Sequence, residues 1–299
     1  PPRARHQVAD ALMKLGHQIF FVEKNRWGWP AIAEFRQSDN LVLIKPRFIP
    51  GYKIRYRLPV VNELYQGWLF RRLRNRYGQL LVINFDFTAY RLTRFFNQSV
   101  YYCNDEQIGN SDYGNLLMNT YHKLIERTLI RNSALAVSTS PYLTRKLSQY
   151  HSAVHEIPLG APDLSGLFDF DPEEKRPADR VMGLVGFISL RKMSFTLINR
   201  LTELEGFRLV LVGPVEENFR KKLRHPDRIE FKGTLKGEDL YKEIRKFDVA
   251  IAPYQLDHIN PGTTSNKLYQ YLACGVPVVI TDIPNLQNTS FPEGTVYKV

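Results

Sequence analysis

The stretch PGTTSNKLYQYLACGVPVVI, Pro261 to Ile280, joins a polar loop, a short helix and a buried strand with almost no spacer. Thr263, Thr264 and Ser265 place hydroxyls and backbone N–H groups where the helix must begin, and the partial positive charge of a helix N-terminus attracts anions. Lys267 adds a full positive charge in the first turn, working against the helix dipole, where a purely structural design favours Asp or Glu. That mismatch points to an anionic, phosphate-like ligand. Leu268, Tyr271 and Leu272 recur at helical spacing, Cys274-Gly275 supplies the stop, and Val276 to Ile280 suits a parallel strand buried on both faces. This apolar half fits any α/β domain and carries no function by itself.

Strand-like runs alternate with helical patterns on both sides of that stretch. HQIFFVE, NLVLIKP, QLLVINF, SVYYC and ALAVSTS occupy the first half, and MGLVG, FRLVLVG, RIEFKG, DVAIAP and VPVVI the second. The alternation predicts parallel sheets flanked by helices. At 299 residues, about 150 per domain makes two domains the expectation. The Pro-rich, charged stretch DLSGLFDFDPEEKRPADR lacks period and reads as an interdomain linker. The expected division is an N-terminal domain 1–165, a linker 166–179 and a C-terminal domain 180–299. Two doubly wound domains would face each other across a central cleft at the carboxyl ends of their strands, where open α/β sheets bind ligands. The chain opens on a helical pattern closed by Gly16 where such a domain usually opens on a strand, and it stops after GTVYKV without a closing helix. Terminal segments are therefore expected to be missing.

A formal charge of +11 points to an anionic partner, whether nucleic acid, an acidic membrane surface or a phosphorylated small molecule. Cys103 and Cys274 lie far apart, each in an apolar segment, so neither a disulfide framework nor a zinc site with paired ligands is expected, and a reducing cytoplasm fits best. No apolar run approaches the roughly 20 residues that span a bilayer, and no secretory signal opens the chain. In Arg57 to Gly78, the apolar Val61, Leu64, Tyr65, Trp68, Leu69 and Leu73 follow helical spacing, while Arg71, Arg72, Arg74 and Arg76 crowd the end. Such a basic amphipathic helix suits an anionic membrane surface, with Trp68, Arg71, Arg72 and Arg74 on that side. The alternative is a helix docked on its own sheet, its arginines complementing the dipole.

Taken together, these segments resemble glycosyltransferases of the GT-B fold that assemble bacterial polysaccharides. FDVAIAPY followed by SNKLYQYLACGVPVV resembles their nucleotide-sugar half, GLVGFISLRKMSFTLI their Gly-containing first loop, and FRLVLVGP and IEFKGTL two further strands. In the first half VYYCNDE resembles their Tyr-x-Cys-x-Asp segment, and ALAVSTSPYL a strand before a Ser-x-x-Leu helix. Where most relatives carry a Glu that contacts ribose this chain has Gln270, and the acidic position of retaining members falls at Gly262. Lys267 with Gln270 instead resembles the inverting glucuronosyltransferase of xanthan-type exopolysaccharide assembly, a membrane-associated enzyme.

The resemblance implies a nucleotide-sugar donor, a UDP-sugar, in the C-terminal domain, and a lipid-linked or saccharide acceptor in the N-terminal one. Gly186, Arg191, Lys192, Tyr254, Thr263, Thr264, Ser265, Asn266 and Gln270 are the expected donor residues, with Lys267 acting on the departing diphosphate. An inverting transfer needs a base at an N-terminal strand end, for which Asp105 is the first choice and Glu106 and Asp86 the substitutes. Donors fixed where the diphosphate gains charge lower the barrier more than they help substrate binding. No Asp-x-Asp motif stands in a metal-like context, so no metal and no cofactor are expected. The implied location is cytoplasmic, peripheral at the cytoplasmic face of the inner membrane. Two readings compete: a nucleotide-sugar epimerase of the same architecture, and a non-catalytic protein that binds anionic lipid or nucleic acid. No RNA-recognition motif accompanies the arginines, and no nucleic-acid partner is expected.

Overall fold

The computed structural model describes residues 4–106, 108, 116–161, 164, 167, 180–258, 261–287 and 289–299. The chain divides into two compact units, Pro2–Pro158 and Leu159–Val299. The expected linker 166–179 lies outside the described residues except for Leu167.

In the first unit the order is α1 (Ala4–Lys14), β1 (Ile19–Val22), β2 (Ala31–Ser38), β3 (Leu41–Arg47), α2 (Tyr52–Arg55), α3 (Pro59–Tyr77), β4 (Val82–Asn84), a 3-10 segment Phe87–Arg94, β5 (Ser99–Cys103), α4 (Leu116–Asn132), β6 (Leu135–Ser138), α5 (Pro141–Ser148) and β7 (Val154–Glu156). The strands form a four-stranded parallel sheet β4-β5-β6-β7 and a separate three-stranded sheet β1-β3-β2. β1 runs parallel to β3, whereas β2 and β3 form an antiparallel hairpin. β2 (AIAEFRQS) lacks a continuous apolar run and is exposed over its second half, so a search for buried parallel strands passes over it. Tyr65, Leu69, Phe70 and Leu73 of α3 join Tyr101, Leu129 and Ala136 in the core of this unit.

The second unit continues with β8 (Arg180–Val185), α6 (Phe195–Leu201), β9 (Phe207–Val212), α7 (Glu217–Arg220), β10 (Ile229–Gly233), α8 (Gly237–Ile244), β11 (Val249–Ala252), α9 (Asn266–Ala273), β12 (Val278–Ile280) and β13 (Val296–Lys298). Its sheet has the order β10-β9-β8-β11-β12-β13, with every pairing parallel. Successive strand residues serve opposite faces. Val181 and Val185 join the cluster under α8 and α9, while Met182 and Leu184 join the one under α6 and α7. The chain progresses outward from β8 in one direction and from β11 in the other. Their shared edge is therefore the topological switch point, where the loops leaving the two strand ends diverge and leave room for a ligand.

Candidate donor-phosphate site

The loop that leaves β8 begins at Gly186, whose φ of +127° suits glycine, and its N–H donates to the Val212 carbonyl at 2.8 Å. Gly213, at the end of β9, packs so closely that a Cβ there would lie 2.2 Å from the Gly186 carbonyl oxygen. Further along, Ser194 N–H donates to Pro253 O at 2.7 Å, and Gln255 N–H to Lys192 O at 3.1 Å. These bonds lace the loop after β8 to the segment after β11.

α9 starts at the same place. Ser265 is its N-cap residue, but its hydroxyl does not cap the helix. It lies 2.9 Å from the Tyr254 hydroxyl instead, and Ser265 is buried. Tyr254 in turn accepts from Thr281 Oγ1 through its carbonyl at 3.3 Å. Asn285 steadies the loop before the helix, donating through Nδ2 to Thr263 O at 2.9 Å and to Thr264 Oγ1 at 3.4 Å. The far face of α9 is anchored by Tyr271, fully buried, whose hydroxyl accepts from Val185 N–H at 2.8 Å.

Lys267 is the centre of the arrangement. The residue as a whole is half-buried, yet its ammonium nitrogen is buried and has no hydrogen-bond partner. Its stem runs over Gly186, where a Cβ would come within 2.7 Å of Lys267 Cε. Nζ lies 5.5 Å from the centroid of the Tyr254 ring. Burial, and after it the charge of Lys192, pull the ammonium pKa down to about 7. Three positions along the same helix face Gln270 is also buried, and its Oε1 lacks a partner. Two unsatisfied buried polar atoms on one short helix are costly, and a polar ligand would complete them. Of the other expected donor residues, Arg191 and Asn266 are half-buried and Lys192 is exposed. Asn285 and Thr281 were absent from the sequence reading; the signal for them is their position just beyond the C-terminal end of β12.

In the first unit Asp105 follows β5 and is exposed, and its carbonyl accepts from the Cys103 thiol at 3.6 Å. The two substitute carboxylates both have structural partners. Glu106 is buried and bound to Lys146 Nζ at 2.8 Å, while the same ammonium reaches Glu126 at 2.6 Å. Tyr101 donates to the other oxygen of Glu126 at 2.8 Å. Burial opposes the charge on Lys146, but its carboxylate partners, Glu126 foremost, raise its pKa above the ordinary value. Asp86 caps the 3-10 segment, accepting from Thr88 N–H at 3.0 Å and from Thr88 Oγ1 at 2.6 Å. Both carboxylates are thus occupied by structure.

The core face of the expected membrane helix α3 keeps Tyr65, Leu69 and Leu73 from the spacing but is shifted to take in Asn62, Gln66 and Phe70 and to leave Leu64 out. Asn62, Tyr65, Gln66, Leu69, Phe70 and Leu73 are buried, whereas Val60 and Leu64 are exposed. Trp68 is packed against Phe48 and Tyr65 at centroid distances of 5.6 and 6.1 Å, with the Arg72 guanidinium 5.4 Å from its ring. Arg71 and Arg72 are exposed and Arg74 is half-buried. Among the described residues no group of three or more His, Cys, Asp or Glu could hold a metal ion, and no helix is long and apolar enough to cross a membrane.

Residues 180–294 match the model of the protein family described as "Glycosyl transferases group 1". Over 218 residues the chain is 26% identical to TuaH of Bacillus subtilis (strain 168), whose name assigns it a glycosyltransferase role in teichuronic acid biosynthesis. That alignment takes in 66% of this chain and 53% of the relative, so the match spans about half the length of the curated protein. Among solved structures, sucrose-phosphate synthase of Thermosynechococcus elongatus is similar with a TM-score of 0.75 and 19% identity, over 98% of this chain and 78% of that one. An E. coli trehalose-6-phosphate protein bound with UDP-2-fluoro glucose follows with 0.70 and 10% identity, over 100% and 85%. Anabaena HepE in complex with UDP gives 0.58 and 14%, over 81% and 70%. At these identities the likenesses establish the fold, an α/β architecture with parallel sheets of the GT-B kind.

Proposed function

We propose that this protein is a glycosyltransferase that moves a sugar from a UDP-sugar to a lipid-linked or polysaccharide acceptor with inversion at the anomeric carbon. The observation that carries the reading is the buried, partnerless ammonium of Lys267 at the switch point of the second sheet. A nucleotide diphosphate supplies what that nitrogen lacks. Support for the class comes from the family match over 180–294, from TuaH, and from the UDP or UDP-2-fluoro glucose held by two proteins of similar fold.

In the proposed reaction the acceptor oxygen attacks the anomeric carbon as the bond from that carbon to the diphosphate oxygen breaks. The diphosphate leaves with an added negative charge. Lys267, Ser265 and the N-terminal N–H groups of α9 stabilise that charge, and groups already in place act without reorganisation. Gln270 completes the contacts to the nucleotide sugar, Thr263, Thr264 and Asn266 line the helix start, and Arg191 and Lys192 add positive potential. Asp105 takes the proton of the acceptor hydroxyl. The transferred group is hexosyl or glucuronosyl, and the positive side chains make a metal unnecessary. The acceptor is met at the cytoplasmic face of the inner membrane, with Arg71, Arg72 and Arg74 contributing positive charge on that side.

A panel of UDP-, GDP- and dTDP-sugars measured by thermal shift, followed by product analysis, tests the reading. A donor at about 100 times its Kd stabilises by about 2.7 kcal/mol. Stabilisation by UDP-sugars, together with transfer to an acceptor that Lys267→Met largely loses, is the expected result. A nucleotide sugar that only changes configuration, with no transfer, would instead make the protein an epimerase.

A further inference from the structure

Trp27 and Trp29 are 62% and 83% exposed, in contrast to the packed Trp68. They sit in the loop between β1 and β2, and that loop is interlocked with the segment joining β3 to α2. Arg26 N–H donates to Pro46 O and Phe48 N–H to Arg26 O, each at 3.0 Å, and Tyr52 N–H donates to Asn25 O at 3.1 Å. Asn25 is buried and bridges the two segments through its side chain, donating to Pro50 O at 3.1 Å and accepting from Arg55 Nε at 2.8 Å. The fit is close, for a Cβ on Gly51 would lie 3.2 Å from the Trp27 backbone nitrogen. The second segment adds the exposed Ile49, and α2 just beyond it the exposed Ile54.

Charge surrounds these residues on both segments. Lys24, Arg26, Arg47 and Lys53 are exposed, and the acidic residue beside them is Glu23, which Arg26 meets only at 3.9 Å. Isolated apolar residues on a surface need no explanation, but two indoles and two isoleucines on interlocked segments that also carry four exposed cations form a patch. Indoles favour the boundary between headgroups and acyl chains, and nearby lysines and arginines are drawn to anionic lipid. The buried Arg55–Asn25 clip fixes the two loops before any partner arrives, which reduces the ordering cost of docking.

We infer that the tip formed by the β1–β2 loop and the β3–α2 segment is a docking surface for an anionic bilayer, with Trp27 and Trp29 entering the headgroup layer and Lys24, Arg26, Arg47 and Lys53 holding the lipid phosphates. It is distinct from the basic end of α3, whose tryptophan is packed inward. The inference stands apart from the donor chemistry, since no residue of the second unit takes part.

The test uses the whole chain with vesicles of equal parts phosphatidylglycerol and phosphatidylcholine, against vesicles of phosphatidylcholine alone. Sedimentation with the anionic vesicles only, and quenching of tryptophan emission by bromine-labelled acyl chains, are expected of the wild type. The double variant W27A/W29A is expected to lose about tenfold or more in partitioning and most of the quenching. Its circular dichroism melt and its UDP-induced thermal shift should match the wild type, because both side chains are exposed and lie outside the donor site. Partitioning of W27A/W29A equal to wild type, or an absence of quenching, overturns the proposal. So does a wild-type dimer in light scattering that W27A/W29A dissolves without any vesicle binding, which would make a second copy the occupant. Equal sedimentation with neutral vesicles overturns the electrostatic half.

Discussion

The Lys267 ammonium lies 5.5 Å from the centroid of the Tyr254 ring, and the Tyr254 hydroxyl lies 2.9 Å from the Ser265 hydroxyl. One tyrosine thus faces the cation with its π-surface and holds the N-cap residue of α9 with its polar tip. A cation over an aromatic face is partly compensated, by about 2 kcal/mol when desolvated. That compensation is weaker than a direct ion pair and leaves the charge available to a diphosphate.

Removing that charge tests its role most directly. Lys267→Met should lower kcat by about 10²–10³-fold, the range for loss of one preorganised charge donor, with a smaller effect on KM. Steady-state kinetics with a UDP-sugar checks this, and unchanged kcat would remove Lys267 from the chemistry.

A lowered lysine pKa has a definite signature in stability. Lys267 titrates at about 7 in the folded protein and near 10.5 when unfolded, so between these values the unfolded chain binds more protons. Its contribution therefore raises stability as pH climbs from 7 towards 10.5, and the penalty of the buried charge is fully present below pH 7. Lys267→Met should be more stable than wild type at pH 6, by an amount on the order of a few kcal/mol, with the difference closing towards pH 10. Urea denaturation at both pH values measures it.

The same titration couples ligand binding to protons. UDP placed beside Nζ restores the cationic form, so binding near pH 8 should take up close to one proton and binding near pH 6 almost none. Calorimetry in buffers of different ionisation enthalpy gives the number, and equal uptake at both pH values contradicts the assignment.

Gly186→Ala meets two obstacles, a backbone at φ +127° and a Lys267 stem 2.7 Å from the added Cβ. The expected result is a loss of stability of about 1–3 kcal/mol with weakened UDP binding, whereas an exposed substitution such as Glu217→Ala should change neither. Thermal melts with and without UDP separate the two effects.

Asp105→Asn should abolish transfer while UDP-induced stabilisation survives, because the change lies in the other unit. Lys146→Met should behave differently, since it strands Glu106 and Glu126 in a buried site and is expected to destabilise by about 3–5 kcal/mol. Transfer at wild-type rate by Asp105→Asn would move the base elsewhere.

The second unit was legible because its strands announce themselves. VMGLV, FRLVLV and VAIA are near-continuous apolar runs, as strands buried on both faces must be, and Lys267 stood out for opposing a helix dipole. The first unit hid more. Ala31–Ser38 pairs antiparallel with β3 and exposes one end, so its pattern resembles a surface segment. The partners of Glu106, Lys146 directly and Glu126 through it, were not legible because they are 40 and 20 residues away, and ion pairs between distant segments leave no local pattern. Trp68 suggested a membrane face because an amphipathic ring suits either a core edge or a bilayer. Asn285 was missed because a single amide that steadies a loop carries no periodicity at all.

The buried grouping under β5 has a use as an experimental reporter. Cys103 is 2% exposed beside Glu126 and Lys146, and burial pushes its thiol pKa up to about 12. A thiol so protonated and so covered, in the core of its unit, is inert to alkylating reagents until that core opens. Its rate of alkylation therefore clocks the opening of that core. Cys274, half-buried and raised to about 11, provides a second clock in the other unit, so one chain yields separate readings of how each unit breathes.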